Sequence, residues 1–275
     1  MTRLWAIAIT ILAFATSSGP ALAQSQPDVP KLRELCPDRP GLGTPACTID
    51  RGHVVVELGM GSWVRDSDAA VRTDSVSSGE LLVRVGVTNS LEAQFGWFGY
   101  SRTRTRDLQS GSLSEAGGGG DISIALRQNL SNPDGSGTAV AVMPYVTLPI
   151  GTSPSGAGDW GIGLLVPMSV ELPKGLSISL TPRIDAVVDS DGRGRHLAFG
   201  TTAGFGFEII NKLSATVELS MARDCEPAGH STIGLAGLSF GWQPTDALQL
   251  DAGLNIGLNH DSPDREVYVG ITQRF

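Results

Sequence analysis

Leu248-Gln249-Leu250-Asp251-Ala252-Gly253-Leu254-Asn255-Ile256-Gly257-Leu258 decides how the chain reads. Every even-numbered residue in it is apolar, and every odd-numbered one is polar or glycine. Successive side chains of a strand point to opposite faces, so this stretch carries one apolar and one polar face. Residues 213–221 keep the same rhythm, with Leu213, Ala215, Val217, Leu219 and Met221 set against Ser214, Thr216, Glu218 and Ser220. In 176–188, Leu176, Ile178, Leu180, Ile184, Ala186 and Val188 alternate with Ser177, Ser179, Thr181, Arg183 and Asp185.

Working outward, twelve segments alternate or are rich in strand-forming residues: about 53–63, 78–88, 91–103, 121–131, 138–151, 160–172, 176–189, 196–210, 213–222, 231–243, 247–258 and 265–275. Each is near the roughly 9–11 residues that a tilted strand needs to cross a bilayer. The connections alternate as well. Short turns fall at 88–90, 132–137, 173–175, 211–212 and 244–246; longer links fall at 64–77, 104–120, 152–159, 190–195, 223–230 and 259–264. Short periplasmic turns opposite longer external loops are the pattern of an outer-membrane β-barrel. An even strand count puts both chain ends on the short-turn side. The last strand ends on Phe275, with Ile271 and Val269 on its face, a pattern like the assembly signal that the barrel-assembly machinery reads; Gln273 interrupts it.

Composition agrees. Of the 275 residues, 41% are hydrophobic and only 17% charged, against about 25% charged in a soluble domain. Apolar content this high excludes a disordered chain. A net charge of −8 argues against nucleic acid as a partner. Residues 1–23 read as a secretory signal: Arg3, an apolar core from Leu4 to Ala15, a break at Ser17–Pro20, and Ala21-Leu22-Ala23 as the cleavage site. Its apolar core is shorter than the about 20 residues of a membrane anchor. The expected domains are therefore a signal over 1–23, an amino-terminal periplasmic segment over 24–52 and a closed antiparallel barrel over 53–275.

Charges inside the strands test this reading, because one facing lipid at mid-bilayer costs about 2–4 kcal/mol. Arg84, Glu92, Arg127, Glu171, Arg183, Asp185, Glu218 and Asp251 are assigned to the lumen, where opposite signs pair or are hydrated. Pro144, Pro149, Pro167 and Pro182 lack the ladder donor, so bulges are expected between residues 138 and 189. Trp63, Trp97, Tyr100, Trp160 and Trp242 lie near strand ends, as interface girdles do.

Cys36 and Cys47 flank a Pro- and Gly-rich stretch, which in an oxidising compartment predicts a disulfide. Two readings follow: a stapled tail, or a loop that folds back into the lumen with Asp38 and Arg39 pairing wall charges. Cys225 is left over. No His, Cys and acid set has metal-ligand spacing, and no cofactor is expected. His230-Ser231 near Asp224 is the sole candidate for lipase-like nucleophilic catalysis; neighbours in one loop seldom hold that geometry, so no enzyme is expected. Arg193, Arg195 and His196, and separately Arg102, Arg104 and Arg106, could meet lipopolysaccharide phosphates or an anionic solute. The preferred reading of both sets is a solvated surface turn. Gly117–Gly120 is read as a flexible loop.

The chain resembles the outer-membrane transporter family labelled "putative MetA-pathway of phenol degradation". The resemblance is carried by Asp38-Arg39-Pro40, Gly52-His53, the run Pro144-Tyr145-Val146-Thr147-Leu148-Pro149-Ile150-Gly151, Trp160-Gly161 through Val166-Pro167, Leu172-Pro173, Thr181-Pro182 and the closing strand. It covers most of 36–275 and implies a β-barrel and, by its label, a link to aromatic-compound breakdown. It supplies no functional residues to carry over. The expected function is a channel for passive passage of small solutes among outer-membrane lipid and lipopolysaccharide. A non-conducting structural or adhesive barrel is the rival, and a lipid-modifying enzyme the remote third.

Overall fold

Period-two alternation becomes a wall of antiparallel strands in the computed structural model, which describes residues 32–153 and 155–275. The signal expected over 1–23 lies outside the described residues. The strands are β1 (Val54–Ser67), β2 (Val71–Ser78), β3 (Glu80–Gly86), β4 (Leu91–Trp97), β5 (Tyr100–Asp107), β6 (Leu113–Gly119), β7 (Ile122–Ser131), β8 (Thr138–Leu148), β9 (Gly161–Leu165), β10 (Met168–Leu172), β11 (Leu176–Val188), β12 (Arg195–Ile210), β13 (Leu213–Asp224), β14 (Ser231–Thr245), β15 (Leu248–Gly257) and β16 (Arg265–Arg274). Four short breaks divide longer strands, so β2–β3, β4–β5, β6–β7 and β9–β10 each act as one stave of the wall. Twelve staves result, and β16 pairs both β15 and β1, which closes the barrel. Ten residues at about 3.3 Å each, tilted by about 40°, cover the roughly 25 Å of an apolar belt.

The burial pattern is inverted relative to a water-soluble protein. On β15, Gln249, Asp251 and Asn255 are buried while Leu254 and Ile256 are exposed. On β13, Glu218 is buried while Leu219 and Met221 are 58% and 62% exposed. Phe199, Phe205, Ile184, Leu126 and Ile124 extend the outward apolar surface around the wall. A continuous greasy exterior is stable only against hydrocarbon.

One end of the barrel, the turn end, carries the links 87–90, 132–137, 173–175, 211–212 and 246–247; the other, the loop end, carries 149–160, 189–194, 225–230 and 258–264. The expected long links 64–77 and 104–120 are not loops. β1 and β2 run on to a turn at 68–70, and β5 and β6 to a turn at 108–112. Gly117 to Gly119 belong to β6 and pair Arg102, Ser101 and Tyr100. The extension was hidden because Thr and Arg alternate there with few apolar side chains to mark a face. At its base the chain kinks at Gly99 (φ +71°), where a Cβ would meet the Ser78 carbonyl oxygen at 2.5 Å.

The expected irregularity is found at Val166-Pro167 and not at Pro182, which pairs Thr201 in an unshifted β11–β12 ladder. Val166–Pro167 separates β9 from β10, and Val166 N–H reaches across to the Pro182 carbonyl at 3.0 Å. The β7–β8 ladder skips Pro144; its register shift, between Asn129 and Ser131, lies on β7, outside the stretch where bulges were expected.

Candidate functional site

The turn-end half of the lumen is filled by residues 32–52, which the Cys36–Cys47 disulfide closes into a loop. A folded-back strap needs partners for its backbone groups, and wall side chains supply them. Glu57 accepts from the backbone N–H groups of Asp38 and Arg39, both at 2.9 Å. Glu218 accepts from Leu42 at 2.7 Å and Gly43 at 2.8 Å, and Glu92 accepts from Ile49 at 2.8 Å. Gln249 donates to the Arg39 carbonyl at 2.8 Å, and Asn129 to the Ala46 carbonyl at 2.8 Å. Thr181 both accepts from and donates to Thr44, at 3.1 Å each way.

Charge ties the strap down further. Arg84 and Arg127 are both 0% exposed, which is costly unless acids and carbonyls meet their guanidinium groups; Arg127 Nε alone is left without a partner. Arg84 grips Glu92 through Nε (2.9 Å) and Nη2 (3.1 Å), and its Nη1 faces Glu57 (3.1 Å), Asp38 (2.9 Å) and the Cys36 carbonyl (2.8 Å). Arg127 donates to Asp38 at 2.6 Å and to the Cys47 carbonyl at 3.2 Å, and pairs Glu92 at 3.3 Å. Asp38 is thus shared between two guanidinium groups. Burial pushes its carboxyl up, but Arg127 and Arg84 prevail and hold it below its ordinary value. Across the lumen, Arg39 pairs Asp251 at 3.1 Å and lies 5.5 Å from the centre of the Tyr268 ring.

Above this floor the lumen widens into a vestibule toward the loop end. Two cavities of about 430 and 420 Å³ share Gln94, Phe98, Ser123 and Met143. The first rests on Asp38–Thr44 of the strap. The second is walled by Phe98, Met143, Tyr145 and Leu165, with Arg183 and Asp185 as its charged pair. Tyr145 donates to Asp185 at 2.5 Å, and Arg183 grips the other oxygen through Nε at 2.7 Å. Gly163 makes this packing possible, since a Cβ there would sit 2.5 Å from the Tyr145 ring.

Of the residues assigned to the lumen, Arg84, Glu92, Arg127, Glu218 and Asp251 converge on the floor, and Arg183 with Asp185 on the vestibule. Glu171 joins neither group. It lies one residue from the turn-end tip of β10, exposed, with its carboxylate on the Gly137 N–H at 3.1 Å. Gln94, Asn129, Gln249, Tyr145 and Tyr268 were not singled out, although period-two parity with Glu92, Arg127 and Asp251 places three of them inward.

At the loop-end mouth His196 is buried between acids from two connections. Nδ1 lies 2.9 Å from Asp189 and 3.3 Å from Glu226, and Nε2 lies 2.8 Å from Asp224. Among the described residues, Asp189, His196 and Glu226 could hold a metal ion. No spacing rule signals such a set, because its members come from separate segments. Asp224 faces His196 and the Glu226 N–H (2.9 Å), so its carboxylate is engaged away from the proposed His230-Ser231 pair. Cys225 is a free thiol. Phe275 and Val269 are exposed on the outer surface. Arg193 lies in the 189–194 turn, whereas Arg195 opens β12, stacks 3.7 Å from the centre of the Trp160 ring and pairs Asp159 at 2.9 Å.

A model of the family described as "Putative MetA-pathway of phenol degradation" matches residues 37–275. The crystal structure of an outer membrane channel from Pseudomonas putida F1 is similar, with a TM-score of 0.66 and 13% identity over 84% of this chain and 98% of that one. The translocator domain of the autotransporter NalP from Neisseria meningitidis is similar, with a TM-score of 0.53 and 14% identity over 82% and 88%. At these identities the likeness is one of fold. No curated protein matches the sequence.

Proposed function

Because the chain belongs to the family described as "Putative MetA-pathway of phenol degradation", we propose that it is an outer-membrane channel for passive passage of small solutes, shut at rest by its own amino-terminal segment. The observation that carries this reading is the division of the lumen. A roomy vestibule stands on a floor made of a separate strap, and the strap is fastened by side chains instead of being part of the wall.

In this reading the signal over 1–23 directs export, the turn end and residues 24–52 face the periplasm, and the loop end faces outward. The outward face of Phe275, Ile271 and Val269 supports recognition by the barrel-assembly machinery. Solutes enter the vestibule and pass when the strap leaves its seat. The lining of Phe98, Met143, Tyr145 and Leu165 beside Arg183 favours small amphipathic solutes, and the family description is consistent with aromatic ones. Among the described residues, Arg84, Arg127, Glu57, Glu92, Glu218 and Asp251 are engaged with one another or with the strap, which supports a channel over an enzyme.

The number of bonds that fasten the strap favours a second reading, a structural barrel whose lumen never opens. Planar-bilayer recording separates the two. The channel reading expects discrete openings of the full-length mature protein as voltage rises, and a steadily open pore when residues 32–52 are removed. A barrel that migrates as folded yet stays silent in both forms sinks the channel reading.

A further inference from the structure

The sheet that rises past the apolar belt at the loop end has two unlike faces. Its rows are fixed by strand register: Trp63–Val76–Arg102–Gly117, then Arg65–Asp74–Arg104–Glu115, then Ser67–Arg72–Arg106–Leu113. Trp63 pairs Val267, which is exposed on the outer surface, so these rows continue the lipid-facing side of the wall. Arg265 stands beside Arg65 in the next strand. The opposite, inward face of the same strands carries hydroxyls that bond one another, Ser62 to Ser77 at 2.7 Å and Ser75 to Thr103 at 2.9 Å.

Solubility alone would treat the two faces equally, because both stand above the hydrocarbon. Here the positive charge is on one side only, and the inward face carries the acids Asp66, Asp107 and Glu266. Six arginines face outward against two acids, in a chain whose net charge is −8. The acids serve as spacers: Asp74 holds Arg65 at 2.8 Å and Arg72 at 2.9 Å, and Glu115 holds Arg102 and, at 3.7 Å, Arg104. The height is set by Trp63, over whose ring Arg65 and Arg265 lie at 4.7 and 5.5 Å. Tryptophan marks the edge of the belt, so the guanidinium groups stand at headgroup level. None of the six cations is lysine, and the planar guanidinium fork is the side chain that grips phosphate bidentately. Arg102, Arg104 and Arg106 together span about 13 Å along one strand.

We propose that this outward face is a binding site for the phosphorylated glycolipid of the outer leaflet, with arginine forks on the lipid's phosphates. The site rests on the outer-membrane placement argued above, and it would anchor the rising sheet to the leaflet on one flank of the barrel. It turns Arg102, Arg104 and Arg106 from solvated turn residues into a ligand surface.

The test is native mass spectrometry of the full-length mature protein in detergent, titrated with bisphosphorylated lipid A and with the same lipid stripped of phosphate. The expected result is retention of the phosphorylated lipid, weaker by at least about tenfold for R102Q/R104Q/R106Q, given the strength of charge-assisted bonds. The matching triple lysine variant should fall between. Equal retention by wild type and the glutamine variant overturns the site, as does equal retention of the stripped lipid, which would mean that the apolar belt alone holds it. Complete displacement by inorganic pyrophosphate would assign the patch to a soluble anion and also overturn it. Heat-modifiable migration from an outer-membrane fraction checks the placement separately, so failure of the site is distinct from failure of the channel reading.

Discussion

The two halves of the lumen use the same residue types for opposite ends. At the floor, Arg84 and Arg127 are wholly buried, and their forks end on acids and on carbonyls of the strap. In the vestibule, Arg183 is half exposed and pairs only Asp185 among the described ion pairs. A buried, multiply bonded arginine is a fastener, because losing one partner strands the rest. A half-exposed arginine in a cavity is free to meet whatever enters. Lumen charge therefore does not by itself mean a permeation path; the number of bonds around each charge tells which half it serves.

The largest effect that would sharpen this contrast comes from Arg127→Gln. It removes partners from Asp38, the Cys47 carbonyl and Glu92 at once. Breaking a buried pair in this way costs about 3–5 kcal/mol. The cost falls on the seat of the strap, so bilayer recordings should change from rare openings to a mostly open pore while heat-modifiable migration is kept. If openings are no more frequent than in wild type, the floor is not a gate. Reduction of Cys36–Cys47 comes next. A disulfide closing a loop of this size restrains the free strap by about 3 kcal/mol, so a thiol reductant on the turn side should lengthen open times. Serine at both positions should remove that sensitivity.

Acid should open the channel as well. Arg127 and Arg84 hold the Asp38 carboxyl below its ordinary range. Such a group stabilises the seated strap above the ordinary carboxylate pKa of about 3.9, and the contribution is lost as pH falls through the depressed value. Glu57 and Glu92 face the same arginines, so the response belongs to the cluster. Open probability is expected to rise below about pH 4, and Asp38→Asn should start higher and respond less. A pH response unchanged in that variant would place the sensitivity elsewhere.

These tests also mark what the sequence could show. Period-two alternation reports which face a strand buries, and it located all twelve staves and the inward turn of Arg84, Glu92, Arg127, Glu218 and Asp251. It cannot report which charge meets which. The floor is built from side chains reaching backbone groups, such as Glu218 to Leu42 N–H, and any residue at position 42 other than proline would supply that donor. The rising sheet escaped notice for the reason that makes it distinctive: Thr103-Arg104-Thr105-Arg106 alternates without an apolar face. Glu171 shows the converse error. It has lumen parity, but it lies at a strand tip, where parity no longer means enclosure. His196 gathers acids 7, 28 and 30 residues away, a set that only the closed wall brings together.

The smallest expected effect bears on the vestibule. Arg183→Ala leaves Asp185 with Tyr145 as its partner and removes one positive charge from the path. Among the described residues Arg183 makes no hydrogen bond or ion pair to 32–52, so gating should be untouched. A unit charge at about 4 Å in water-like surroundings is worth about 1 kcal/mol, or about a fivefold bias between cation and anion. Reversal potentials under a salt gradient should shift toward cations by that order, and organic carboxylates should permeate more slowly than in wild type. The direction matters more than the size. If Arg183→Ala alters open probability and leaves selectivity alone, the vestibule is part of the fastening, and the division between a sealed floor and a receptive upper half fails.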